Sequence, residues 1–193
     1  MFSPKRGMFA YATSYGKLAL MGEIETERLR LMPLSQTHVP ELHELSIDPE
    51  VRRYLFVDQI IPRSQVEDMV AQSEDCFARF GIGFYALFTR LDGSEQFAGF
   101  AGLRVFENDE DMEMLVGISP RVWGRGIGGE AATAVLRQGF DVCGLDRIIA
   151  ATDTPNQRSV RMLQKLGMSF RERRQWHGLD TMFYELTATE FGQ

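Results

Sequence analysis

The sequence is poor in cysteine, histidine and uninterrupted apolar segments. Its 193 residues include two cysteines, Cys76 and Cys143, too few for a disulfide scaffold or a four-thiolate zinc site. We interpret both as reduced thiols that pack in a cytoplasmic protein. The three histidines are scattered without ligand spacing, so we predict no metal site. No apolar run approaches the about 18 residues that a membrane helix needs.

Basic residues are also fewer than acidic residues. Lys and Arg number 21 against 27 Asp and Glu, which gives a formal net charge of −6. Such a chain lacks the basic surface that is typical of nucleic-acid binders, and its charge opposes docking on anionic lipid. We therefore expect neither a nucleic acid nor a membrane among its partners.

The N-terminal segment differs in character from the rest of the chain. Lys5 and Arg6 precede a short apolar stretch that faintly resembles a signal peptide, but polar residues such as Lys17 interrupt it. We predict a flexible extension over residues 1–22, a single domain over 23–193 and a cytoplasmic location. The 44% hydrophobic content suits one ordinary domain with a substantial core.

Periodicity predicts alternating strands and helices. The predicted strands cover 24–33, 84–91, 96–106, 112–118, 147–152, 168–176 and 181–187. The predicted helices cover 36–47, 50–55, 63–80, 130–143 and 156–166. This order indicates an antiparallel meander followed by a right-handed βαβ crossover. The fold class is therefore α/β (α+β), a single domain whose mixed, mostly antiparallel sheet is flanked by helices.

Four glycines in six positions separate a predicted strand from a periodic helix, in the segment Trp123-Gly124-Arg125-Gly126-Ile127-Gly128-Gly129. Glycines turn the backbone sharply and let a ligand come close to main-chain N–H groups. The start of the following helix adds unpaired N–H donors and a partial positive charge. A flexible loop ahead of a helix is the simpler alternative, but the combination favours a site for phosphate or pyrophosphate.

Two common phosphate motifs fit this segment poorly. Gly124, Gly126 and Gly129 match the spacing of a dinucleotide motif, but residues 119–123 separate them from the strand, and fewer than seventy residues follow. A P-loop is excluded because no Gly-Lys-Ser or Gly-Lys-Thr follows.

The glycine segment and its flanks resemble the pyrophosphate loop of the GNAT superfamily of acetyl-CoA-dependent N-acetyltransferases. Within it, the chain is most similar to the subfamily that includes ribosomal-protein N-terminal acetyltransferases, which often have Trp at the position of Trp123. The likeness spans about residues 24–188. Three segments carry it: 25–31, 119–131 and 156–168.

The resemblance implies that acetyl-CoA is the co-substrate. The implied cofactor-binding residues are Arg121, Trp123, Gly124, Arg125, Gly126, Ile127, Gly128, Gly129 and Asn156. Backbone N–H groups of Arg125 to Gly129 would hold the pyrophosphate, and Arg121 and Arg125 would screen its charge unless both are solvated loop residues. Asn156 would order the pantetheine arm, act as a helix N-cap, or do both.

Glu113 is the predicted general base, acting directly or through water. It lies on the strand that leads into the glycine segment, where related enzymes often place a glutamate. As a lone carboxylate among Met112, Met114 and Leu115 it would be partly desolvated, which makes a carboxylate a better base. An outward-facing strand residue is the alternative.

Ser159, or a water molecule, is predicted to protonate the departing thiolate. Many superfamily members have a tyrosine on this helix for that step, whereas this chain has Leu163. A thiolate whose thiol has a pKa near 8.5 leaves readily, so a strong acid is not required.

The acidic stretch 107–111 would attract a cationic acceptor. The alternative is that it forms a solvated hairpin tip.

We predict from these features a cytoplasmic N-acetyltransferase whose acceptor is a primary amine, either a protein N-terminus or a small-molecule amine. An amino-sugar or polyamine acetyltransferase of the same fold stays open, as does a non-catalytic acyl-CoA-binding sensor. A dinucleotide-dependent oxidoreductase is disfavoured. Exposed sheet edges allow a homodimer.

Overall fold

The computed structural model describes residues 22–91, 93–106 and 111–192. Its strands are β1 (Ile24–Glu25), β2 (Leu29–Pro33), β3 (Phe84–Thr89), β4 (Gln96–Val105), β5 (Met112–Ile118), β6 (Arg147–Asp153), β7 (Ser169–Trp176) and β8 (Leu179–Thr187). Its helices are α1 (Val39–Ile47), α2 (Pro49–Leu55), α3 (Arg63–Phe80), α4 (Ile127–Arg137), α5 (Gln157–Lys165) and α6 (Ala188–Phe191). The predicted extension over 1–22 lies outside the described residues apart from Gly22, so the domain boundary stays a prediction.

The described strands form one sheet in the order β1-β2-β3-β4-β5-β6-β8-β7. Neighbouring strands are antiparallel except β5 and β6, which are parallel and joined through α4. The predicted fold class, a single α/β domain with a mostly antiparallel sheet and one βαβ unit, is confirmed.

The pairing of β5 with β6 is short. It joins Met112 to Ile148 and Glu113 to Ile149, although β5 continues to Ile118 and β6 to Asp153. Beyond this point β5 stays bonded to β4, and β6 stays bonded to β8. The two central strands therefore diverge, and a wedge opens between them.

Two predicted elements differ from the structure. The single strand predicted over 24–33 is a hairpin, in which β1 and β2 pair with each other around the turn at residues 26–28. The side chain of Thr26 stabilises the turn, since its hydroxyl accepts a hydrogen bond from the Leu29 N–H at 3.1 Å.

The helix predicted over 130–143 begins earlier, at Ile127. Gly126 adopts the left-handed conformation (φ 78°) that lets the helix start inside the glycine segment.

Helices cover both faces of the sheet. Alternate residues of β3 point to opposite faces: Phe84 and Ala86 belong to a core shared with α1, α2 and the first half of α3. Tyr85 and Leu87 belong to a core shared with α4 and α5. Within the described ranges, no helix is long and apolar enough to span a membrane.

Candidate active site

A cleft of about 1170 Å³ occupies the wedge between β5 and β6. We call the part formed by residues 122–124, residues 126–129 and helix α5 the glycine wall. The part formed by α2, Arg104, Glu113 and the hairpin of β7 and β8 is the carboxylate wall. Elements from distant parts of the sequence therefore meet where β5 and β6 diverge.

The glycines of the glycine wall have different tasks. Gly124 and Gly126 have left-handed backbones, with φ 76° and 78°, which other residues adopt only with strain. A Cβ on Gly128 would lie 3.4 Å from both Ile118 and Met162, so this glycine lets α4 approach β5 and α5. A Cβ on Gly129 would meet no described protein atom within 4 Å. Gly129 therefore keeps part of the cleft open that a side chain would fill.

The start of α4 contributes three residues with backbone donors to this cleft. Glu130 N–H bonds to the Gly126 carbonyl at 3.1 Å as the first intrahelical bond, and the N-cap residue Gly126 has no side chain with which to cap the helix. The N–H groups of Ile127, Gly128 and Gly129 precede that bond and have no partner earlier in the helix. All three residues line the cleft. Such a helix start binds anions.

A polar network fastens the glycine segment to the turn between β1 and β2. The Glu130 carboxylate accepts hydrogen bonds from the Thr26 hydroxyl (2.5 Å), the Arg28 N–H (2.9 Å) and the Arg28 Nε (2.6 Å). Arg28 Nη1 donates to the Arg125 carbonyl at 2.6 Å. Burial alone would raise the pKa of Glu130, but the hydrogen bonds from Thr26 and Arg28 outweigh it and lower that pKa.

Trp123 joins the glycine segment to its neighbours, whereas the two predicted arginines are not among the residues that line the cleft. The indole N–H donates to the Ile118 carbonyl at 2.8 Å, and the Arg158 guanidinium lies 4.1 Å from the centre of the indole ring system, a cation–π contact. Arg121 and Arg125 are exposed, and neither lines the cleft. Their predicted role in screening a pyrophosphate stays a prediction.

Helix α5 brings Asn156 and Ser159 into the same cleft. Asn156 Oδ1 accepts a hydrogen bond from the Ser159 N–H at 3.2 Å, so Asn156 is the N-cap of this helix. Both residues line the cleft, as does buried Leu163. The cap and a place in the cleft are thus compatible for Asn156, as the sequence suggested.

Three cations on α5 were missed in the sequence. Arg158, Arg161 and Lys165 all line the cleft. Their spacing of three and four residues places them along one side of a helix, and this signal was available next to the predicted N-cap. They give the glycine wall positive charge.

Glu113 is buried in the carboxylate wall, but the prediction that it is a lone carboxylate is wrong. Arg104 donates to Glu113 Oε2 from Nε at 2.7 Å, and its Nη2 lies 2.6 Å from the same oxygen. The two residues are directly opposite on β4 and β5. Glu113 is 3% exposed, whereas the Arg104 side chain is 49% exposed. The ion pair is therefore built into the wall with the arginine towards solvent.

Three further side chains line the cleft. Tyr54 comes from α2, Trp176 from the end of β7, and Asp153 from the end of β6. The Trp176 ring stacks on Phe106 with centroids 5.4 Å apart. Burial raises the pKa of Asp153, although a hydrogen bond from Thr181 opposes the shift. These residues share no local sequence pattern, so only the fold brings them together.

The acidic stretch divides into two parts. Residues 107–110 lie outside the described residues. Asp111 is 6% exposed and forms ion pairs with Arg147 and Arg171. Its charge is therefore compensated inside the fold, and Asp111 does not belong to a solvated hairpin tip.

The topology argues against a dinucleotide site. A doubly wound dinucleotide fold needs several parallel strands, but β5 and β6 are the one parallel pair among the described strands.

Metal-ligating side chains are not clustered in the described part of the chain. Among residues 22–91, 93–106 and 111–192, no three His, Cys, Asp or Glu side chains form a group that could hold a metal ion.

The sequence is similar to a known protein family and to individual known proteins. Residues 28–169 match the model of the acetyltransferase (GNAT) domain. The uncharacterised N-acetyltransferase p20 of Bacillus licheniformis is 24% identical over 147 residues, which cover 76% of this chain and 82% of that protein. Spermidine N(1)-acetyltransferase of Escherichia coli K12 is 25% identical over 144 residues, which cover 73% of each.

Solved structures share the architecture. An acetyltransferase of the GnaT family from Bordetella pertussis superposes with a TM-score of 0.73 at 21% identity, covering 85% of this chain and 98% of that one. RimL, the ribosomal L7/L12 alpha-N-protein acetyltransferase solved with coenzyme A, gives a TM-score of 0.73 at 16% identity and covers 86% and 98%. At these identities the likeness shows a common fold.

Proposed function

The chain belongs to the GNAT family of acetyltransferases, and on that premise we propose that it transfers an acetyl group from acetyl-CoA to a primary amine. The amine, from a protein N-terminus or a small molecule, attacks the thioester directly. The observation that carries this proposal is the position of the glycine wall and buried Glu113 in one cleft, where β5 and β6 diverge.

The glycine wall fits the diphosphate of CoA. The first three N–H groups of α4 belong to residues that line the cleft, and Gly129 leaves room for an anion to approach them. Arg161 and Lys165 add positive charge for the remaining phosphate. The diverging edge of β5, from Met114 to Ile118, offers backbone groups to the pantetheine arm and the thioester carbonyl. When bound, acetyl-CoA supplies an activated acetyl group.

The chain's own residues would then move two protons. Glu113 accepts a proton from the acceptor amine, directly or through water, because only the neutral amine is nucleophilic. Arg104 fixes one oxygen of Glu113 and so orients the carboxylate. Ser159, or a water beside it, returns a proton to the thiolate. The buried setting of Glu113 excludes bulk water from its side chain.

The acceptor is an amine that arrives as a cation. Asp153 lines the cleft and favours a positively charged group there, whereas the charge of Glu113 is offset by its ion pair with Arg104. The relatives' names include both a spermidine and a ribosomal-protein acetyltransferase, so a polyamine is the second candidate beside a protein N-terminus.

We also propose a cytoplasmic enzyme that forms homodimers. Cys76 and Cys143 are both free thiols, as suits a reducing compartment. Strand β7 ends the described sheet, and its side chains are exposed except for half-buried Trp176, so this edge is open to a second copy. Analytical ultracentrifugation tests the dimer, and a sedimentation coefficient of a monomer at every concentration would contradict it.

A screen for release of free thiol from acetyl-CoA tests the function. The panel contains polyamines, amino sugars and peptides with free N-termini, and the N-acetylated form of each acceptor is its matched control. We expect one class to raise thiol release while its acetylated control does not. CoA binding without turnover for any amine, unaffected by Glu113→Gln or Ser159→Ala, would instead identify an acyl-CoA sensor. Failure to bind CoA at all would overturn the proposal.

A further inference from the structure

We propose that Arg28 is a positioning residue for CoA binding, which holds the glycine segment in place and neutralises Glu130 beside the diphosphate site. The inference rests on the proposed function. Arg28 lies in the turn between β1 and β2, about a hundred residues before the glycine segment in the sequence, and it does not line the cleft. It therefore acts through the residues that it contacts.

One guanidinium group makes all the side-chain contacts of Arg28 with this region. Nε and Nη2 each lie 2.6 Å from Glu130 Oε2, and Nη1 lies 2.6 Å from the Arg125 carbonyl. A Cβ on Gly126 would lie 3.4 Å from Nη2, so the guanidinium packs directly against the left-handed turn. These contacts fix both sides of Gly126: the carbonyl before it and the first turn of the helix after it.

The charge of Glu130 explains why an arginine is needed. Glu130 lies in the first turn of α4, and its side chain is 14% exposed. The helix start favours any anion, so an unpaired carboxylate there would compete with a diphosphate and repel it. With Arg28 bound, the pair has no net charge. The positive helix start then remains available to the ligand.

The carbonyl of Arg125 gives a second reason. A carbonyl oxygen repels a phosphate, whereas an N–H attracts it. By accepting a bond from Arg28, this carbonyl is held towards the turn of β1 and β2, while Gly124 and Gly126 line the cleft. Arg28 therefore determines which backbone atoms of the segment face the cleft.

Calorimetry with two ligands separates this role from a general effect on folding. CoA carries the diphosphate, whereas pantetheine lacks it and is measured by competition against CoA. The variants are Arg28→Met, Glu130→Gln and the double variant Arg28→Met/Glu130→Gln. Arg30→Met is the matched control, because Arg30 lies on the adjacent β2 and pairs with Glu95 at 2.8 Å, away from the glycine segment.

We expect Arg28→Met to raise the Kd of CoA about tenfold, or about 1.4 kcal/mol, and to leave the Kd of pantetheine unchanged. The double variant should bind CoA more tightly than Arg28→Met alone, because it removes the unpaired charge. Arg30→Met should bind both ligands like the wild type.

Three results would overturn the inference while the wild type binds CoA: an unchanged Kd in Arg28→Met, an equal loss for both ligands, or a double variant no better than Arg28→Met. A wild type that does not bind CoA overturns the proposed function itself. The two failures are therefore distinguishable.

Discussion

The two walls of the cleft are built on opposite principles. The glycine wall presents backbone donors from one short segment, 122–129, with α5 beside it. The carboxylate wall presents side chains from α2, β4, β5 and the hairpin of β7 and β8, which are distant in the sequence. A site made of backbone groups requires glycines at fixed spacing, whereas a site made of side chains requires only that the fold brings them together.

This difference predicts different responses to substitution. Changes in the glycine wall should alter ligand affinity, because its donors bind the diphosphate in the ground state and the transition state alike. Changes in the carboxylate wall should alter turnover, because proton transfer occurs only as the reaction proceeds.

The largest expected effect is in the carboxylate wall. Glu113→Gln should lower kcat by about a hundredfold or more, the usual contribution of a general base, while the Kd of CoA changes little. Steady-state kinetics and calorimetry measure the two quantities. Glu95→Gln is the control, because Glu95 is also paired with arginines but lies outside the cleft. A kcat like that of the wild type with an unaltered pH–rate profile would remove Glu113 as the base.

The glycine wall gives the next largest effect. Gly129→Ala should raise the Kd of CoA about tenfold, because a Cβ occupies the space that the diphosphate needs. The protein should be as stable or more stable, since alanine favours a helix by about 0.5–1 kcal/mol. Calorimetry and thermal unfolding measure both. Gly22→Ala is the control, because a Cβ on Gly22 would also extend into open space. An unchanged Kd of CoA in Gly129→Ala would contradict the assignment of the glycine wall.

A smaller effect is expected at Ser159, which lies on the glycine wall but acts in proton transfer. Ser159→Ala should lower kcat by less than about tenfold, because a thiolate with a pKa near 8.5 leaves without a strong acid. Its backbone N–H still bonds to Asn156, so the helix cap is kept. Steady-state kinetics with saturating CoA checks this prediction. A loss as large as that of Glu113→Gln would make Ser159 an essential acid.

The smallest effect concerns stability and pH. The fold lowers the pKa of Glu130 below its ordinary value of 4.5, so the unfolded chain binds the proton more tightly. The stability that this shift contributes is fully present above a pH of about 4.5, and it is lost as the pH falls through the lowered pKa of Glu130. The Tm of the wild type should therefore exceed that of Glu130→Gln most at pH 7, and the gap should close in acid. A gap independent of pH would show that the charge is not involved.

The sequence predicted those features that depend on residues close together in the chain. Periodicity identified all the long helices and strands, and the glycine segment pointed to an anion site and to the confirmed GNAT family. The break in the first strand at 26–28 was missed because residues 24–28 contain no glycine or proline that would mark a turn. The early start of α4 was missed because a glycine-rich segment has low helix propensity, although left-handed Gly126 permits it.

The carboxylate wall could not be predicted to the same depth. Glu113 was named from the resemblance, but its partner Arg104 depends on the register of β4 against β5. That register is fixed by packing on both faces of the sheet, and no short motif encodes it. Tyr54 and Trp176 depend on the overall topology in the same way.

The central claim is that backbone amides at the start of α4 bind the diphosphate of CoA. Amide chemical shifts of ¹⁵N-labelled protein, recorded during titration with CoA and separately with pantetheine, test it most directly. We predict large shifts for Ile127, Gly128 and Gly129 with CoA and small ones with pantetheine. Shifts confined to other parts of the chain, or equal shifts with both ligands, would contradict the claim.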